Sequence, residues 1–78
     1  MKNIIIEVPK HVTIGHWTLG RDFTPTVNRS ASANYNYLIV KKKDYLGHAV
    51  SMRDIRREAY AAASRIEGAV GVNSLPGE

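Results

Sequence analysis

The chain has 78 residues, no cysteine and a formal net charge of +4, from eleven Lys and Arg against seven Asp and Glu. That length allows one small domain over residues 1–78, which buries only roughly 60% of its unfolded surface. Without cysteine there is no disulfide, thiolate metal site or thiol nucleophile, and a reducing compartment is favoured.

Asn3 to Val8 reads as a strand, with Ile4, Ile6 and Val8 on one face. Ile5 on the other face suggests that both sides are covered. The apolar run is too short for a signal peptide, because Glu7 and Pro9 interrupt it, and no segment approaches membrane-spanning length. The expectation is a cytoplasmic protein with no membrane partner. A homodimer would be a reasonable way for so small a core to bury more surface.

Pro9-Lys10-His11 makes a short connection. Val12 to Leu19 alternates as a second strand, so the spacing predicts a hairpin of strands one and two. On that strand His16 shares a face with Val12 and Ile14, and Trp17 lies on the other. Phe23 to Ala33 is small and polar, with Pro25, Asn28, Arg29, Ser30 and Ser32. Its composition predicts a long flexible loop, with Arg29 near its middle.

Asn34 to Lys42 is the strongest strand, with Tyr35, Tyr37 and Ile39 alternating against Asn36, Leu38 and Val40. Lys43 to Val50 is a turn region. Ser51 to Glu67 is the one clear helix: Ser51 is a good N-cap, Asp54 approximates a capping box, and Gly68 is a C′ residue. Met52, Ile55, Ala59, Ala62, Ala63 and Ile66 fall within an arc about 100° wide. Ala69 to Ser74 either adds a short fourth edge strand or runs back over the sheet, and 75–78 is a frayed tail. The predicted fold class is α+β: a small three-stranded antiparallel sheet packed by one C-terminal helix, in the order β-β-β-α.

The helix's other side carries Arg53, Arg57, Tyr60 and Ser64, with Arg56 on its shoulder. Arg53 and Arg57 stack as like charges in the first turns, where the helix dipole disfavours cations. A bound anion would make that placement favourable. Residues 41–57 hold Lys41, Lys42, Lys43, Arg53, Arg56 and Arg57 against Asp44 and Asp54, which is the whole formal excess of charge. Such clustering is the footprint of a polyanion-binding surface, although solvated Lys and Arg also simply keep a small domain soluble. Lysines at a strand end equally blunt edge pairing. Tyr35 and Tyr37, if their face is open, would make an aromatic platform beside Lys41. Trp17 either packs in the sheet or stacks on a partner.

Nothing points to catalysis. His11, His16 and His48 stand at no zinc-binding spacing, the acids are scattered, and Arg57 and Arg65 lie near enough to neutralise Asp54 and Glu58. There is no nucleophile elbow, phosphate loop or cofactor motif.

The run Arg56-Arg57-Glu58-Ala59-Tyr60-Ala61-Ala62-Ala63, after a strand and a Gly-containing loop, resembles the last part of double-stranded RNA-binding domains. The resemblance implies that Arg56 and Arg57 contact phosphates. It covers the last third of the chain, and it lacks that family's N-terminal helix and its Gly-x-Gly loop.

Two functions follow as expectations. The first is a non-catalytic intracellular module that binds DNA or RNA through Lys41, Lys42, Lys43, Arg53, Arg56 and Arg57, helped by Tyr60, Arg29 and Trp17. The second is a small inhibitor of the kind phages and mobile elements use, which blocks a host enzyme or a defence complex such as CRISPR by meeting an acidic or nucleic-acid-binding protein surface. A weaker third is a sponge that captures a nucleotide in a basic pocket between protomers.

Overall fold

The structure, a computed structural model, describes residues 3–15, 17–29 and 34–75. His16, residues 30–33 of the expected loop and 76–78 of the expected tail lie outside them. The elements are β1 (Ile4–Pro9), β2 (Thr26–Arg29), β3 (Tyr35–Val40), a 3-10 turn (Lys42–Asp44), α1 (Met52–Ala63) and β4 (Val70–Val72). They form a four-stranded antiparallel sheet in the order β2-β3-β1-β4, packed by the single helix that follows β3.

β1 is the central strand in pairing as well as in sequence. It meets β3 with Ile4 opposite Val40 and Ile6 opposite Leu38, and β4 with Ile6 opposite Gly71. Both neighbours are antiparallel to β1, so β3 and β4 run parallel to each other. Such strands need a long crossover, and α1 supplies it. Ile4, Ile6, Val8, Leu38 and Val40 make the helix-facing side of the sheet; Ile55, Ala59, Ala62 and Ala63 of α1 lie on them, with Leu19 and Phe23 closing one side. The alanines let the helix axis approach the sheet closely.

Two predicted elements are corrected. Residues 12–19 are not a strand but successive turns, with Thr18 N–H donating to Gly15 O (3.1 Å) and Gly20 N–H to Trp17 O (2.9 Å). The Thr18 hydroxyl donates to Gly15 O and accepts from Gly15 N–H, both at 2.7 Å, a local side-chain alternative to ladder bonding. The hairpin of strands one and two therefore does not form; Val12 and Ile14 reach the core from the turns instead. Conversely, the expected flexible loop 23–33 contains β2, which pairs with β3 with Val27 opposite Leu38. An edge strand with one inward apolar residue carries no alternating pattern to read.

The helix ends four residues earlier than its periodicity predicts. Ser64 is the C-cap, and a turn with Ile66 N–H on Ala63 O (2.9 Å) leads to Gly68 at φ +79°, which swings the chain into β4. A Cβ at Gly68 would stand 2.7 Å from Pro9 Cγ, so both conformation and space require glycine there. The alternative of a fourth edge strand is realised as β4.

The side of the sheet facing away from α1 carries Ile5, Glu7, Tyr35, Tyr37, Ile39, Val70 and Val72, by register with the buried residues. Tyr37 is nevertheless only 3% exposed, and its hydroxyl donates to Glu7 Oε2 at 3.2 Å. Burial and then the Glu7 carboxylate push its phenol above the usual value of 10. A raised folded-state pKa contributes stability that is complete below the unfolded value and lost as pH rises through the folded one. Alkaline unfolding, followed by circular dichroism above pH 10, should therefore be less steep in Tyr37→Phe than in the parent. Equal slopes would mean that Tyr37 does not govern it.

Candidate nucleic-acid interface

Helix α1 begins as its sequence predicts. Ser51 Oγ accepts from Asp54 N–H (3.2 Å), and its hydroxyl donates to Asp54 Oδ2 (3.0 Å). The Asp54 carboxylate thus stands at the positive end of the helix, close to Arg57 Nη1 at 3.7 Å. The pair is exposed on both sides and is worth little to stability. The other acid of the helix is also engaged: Tyr45 Oη donates to Glu58 Oε1 at 2.8 Å. Glu58 therefore takes Tyr45 as its partner, not Arg65 as the spacing suggested.

Arg53, Arg56 and Arg57 are all exposed along the solvent side of α1. Among the described residues, Arg53 and Arg56 have no carboxylate within 4.0 Å. The acids of this helix are consumed by local partners while two of its cations are not, so the exposed face is electropositive.

Tyr45 also decides where the lysines go. Its hydroxyl accepts from Ala49 N–H (2.8 Å), and its ring tilts on Phe23 with centroids 5.4 Å apart. Burial pushes this phenol up; the Ala49 N–H works against the shift and Glu58 adds to it. Thr24 N–H donates to Asp44 O (3.0 Å) and Leu46 N–H to Asp22 O (2.8 Å). The turn carrying Lys42 and Lys43, with exposed Lys41 before it, is thereby anchored on the Glu58 flank of α1. Arg56 and Tyr60 occupy the opposite flank, toward β4, and Arg53 and Arg57 point outward between the two. The structure thus gathers the three arginines on one helix face and sets the three lysines apart from Arg56.

The remaining predicted residues are dispersed. Tyr60 is half-buried against β4, where a Cβ on Gly71 would come 2.6 Å from its ring. Arg29 is exposed at the end of β2 opposite Asn36, so it lies at the other end of β3 from Lys41, about 17 Å away along the strand. Trp17 is 62% exposed with its indole over Gly15. Of the tyrosine pair on β3, Tyr35 is 37% exposed while Tyr37 is buried, so the platform reduces to one ring.

A feature that sequence reasoning missed lies on the Glu58 flank. A cleft of about 390 Å³ opens between the turn at Leu19–Phe23 and α1, with Arg21, Asp22, Glu58 and Arg65 around it. Its only sequence signal is the spacing Glu58, Ala61, Ala62, Arg65 along one side of a helix. Residues 19–23 are turn residues whose place against α1 no local pattern encodes.

Compared with protein-family models, with curated proteins and with solved structures, the chain matches none of them. The likeness of residues 56–63 to double-stranded RNA-binding domains stands on that run alone. Among the described residues, no helix is long and apolar enough to cross a membrane, and no group of three His, Asp or Glu is placed to hold a metal ion.

Proposed function

We propose that the protein is a non-catalytic module that holds DNA or RNA by its phosphates on the solvent face of α1. The observation that supports this reading is the charge imbalance of that face: Arg53 and Arg56 stand without carboxylate partners among the described residues, whereas Asp54 and Glu58 are engaged by Ser51, Arg57 and Tyr45. Arginines left free in this way form bidentate bonds to phosphate and release counterions on binding. The exposed Lys41, Lys42 and Lys43 extend the positive surface round the Glu58 side of the helix.

The test is fluorescence anisotropy of labelled duplex and single-stranded oligonucleotides between 50 and 200 mM salt. Three arginine–phosphate contacts predict a slope of log K against log salt of about −3 on duplex. Arg53→Glu with Arg56→Glu should weaken binding at least tenfold for every sequence. Absence of binding at low salt, or binding indifferent to the two reversals, would sink the reading.

A second reading, a small inhibitor that docks on a protein surface, draws on a different observation. Trp17, Leu46 and Val50 are exposed large apolar residues, Val50 to 84%. In that case a partner complex should survive nuclease and be lost on Trp17→Ala, with oligonucleotide binding absent.

A further inference from the structure

We propose that the cleft between the Leu19–Phe23 turn and α1 binds a nucleoside monophosphate whose base carries an exocyclic amine, of the guanine type. The site is independent of the phosphate-binding face, because it lies on the flank of α1 opposite Arg56.

Its volume of about 390 Å³ falls in the range of small-molecule sites. The floor is apolar: Leu19, Phe23 and Ala62 are buried side chains, and Ala61 beside them is small enough to leave the space open. The rim is charged. Glu58 and Arg65 are seven residues apart on the helix, roughly 10 Å along its axis, with the two alanines between them. Arg21 and Asp22 face them from the turn. Among the described residues, none of these four charges forms an ion pair with another within 4.0 Å. Two cations and two anions thus surround one apolar floor without neutralising each other. Glu58 is moreover held in place, since Tyr45 donates to its Oε1 and Ala49 N–H fixes the Tyr45 hydroxyl in turn. The carboxylate keeps acceptor capacity toward the cleft.

That arrangement selects among ligands. Inorganic phosphate or an aliphatic acid would satisfy Arg21 and Arg65 but leave the carboxylates facing an anion. A polyphosphate would add charge beside Asp22 and Glu58. A nucleoside monophosphate places its phosphate on the arginines, its planar base on the apolar floor and the N–H donors of the base edge on Glu58. From exocyclic amine to phosphate it is about as long as the Glu58–Arg65 separation.

The experiment is calorimetric titration of the full chain with GMP, IMP, guanosine and inorganic phosphate, with amide chemical shifts to locate each ligand. GMP should bind saturably and shift residues 19–23 and 58–65. IMP, which lacks the amine, and guanosine, which lacks the phosphate, should each bind about tenfold more weakly, and so should GMP to Arg65→Glu. Ala61→Leu substitutes an exposed helix position with a good helix former. It should fill the cleft and abolish GMP binding while the circular dichroism and the oligonucleotide affinity stay those of the parent. No saturable GMP binding at millimolar concentration overturns the proposal. So do equal affinities for GMP, IMP and guanosine, shifts confined to other residues, or GMP binding that Ala61→Leu leaves intact. None of those outcomes bears on the arginine face, which Arg53→Glu and Arg56→Glu test separately.

Discussion

Ile6→Ala is expected to lower the unfolding free energy by about 3 to 4 kcal/mol. The side chain is fully buried, and Ile6 sits between Leu38 of β3 and Gly71 of β4 in the ladder. Helix α1 lies over it and the central strand holds it in register, so the site cannot collapse to fill the cavity. The cost is therefore the lost transfer free energy plus that of the void. A chain of 78 residues has about 4 to 12 kcal/mol in total, so the loss is a large fraction of it. Urea unfolding followed at 222 nm should show a lower midpoint with an unchanged slope. Ile5→Ala is the comparison: Ile5 is also buried, but on the side facing away from the helix, and its loss should cost about half as much. Equal costs for the two would mean that the helix layer is not what makes Ile6 expensive.

Ala59→Leu should destabilise by about 3 kcal/mol, near the upper end for overpacking. Ala59 is fully buried in the core between α1 and the sheet. Leucine there has a slightly lower helix propensity and far more volume, so the effect is steric and not conformational. The helix must tilt or lift, and Tyr60, which lies on Gly71, must move with it. Because α1 carries Arg53, Arg56 and Arg57, the same substitution should also weaken oligonucleotide binding. The Ala61→Leu variant, one turn-face away and exposed, should leave stability within about 0.5 kcal/mol. Thermal unfolding of the two variants side by side decides it: similar midpoints would show that the helix does not rest on its alanines.

These two variants also mark where local pattern suffices and where it does not. The Ile4-Ile5-Ile6 run, the alternation of Tyr35 to Val40 and the 3.6-residue stripe from Met52 to Ala63 each bury several side chains on one face. Periodicity therefore discloses β1, β3 and α1, and Ser51 discloses where the helix starts. The exposed arginines of α1 follow from the same stripe, since they occupy the face left over.

Other features are set by partners distant in the chain. Thr26–Arg29 becomes a strand only because the edge of β3 offers it a ladder, and with Val27 alone turned inward it shows no period. Residues 12–19 have the alternation of a strand, yet Thr18 satisfies the backbone of Gly15 locally and the turns place Val12, Ile14 and Leu19 in the core all the same. Tyr45 bonding to Glu58 and Ala49 ties the lysine turn to one flank of the helix and holds open the wall of the cleft, a contact between residues 13 apart. Composition and periodicity thus determined one basic, cysteine-free α+β domain and its arginine face. The strand order β2-β3-β1-β4, the separation of the lysines from Arg56 and the charged cleft were decided by tertiary packing, because each depends on which segments meet and not on the character of any one of them.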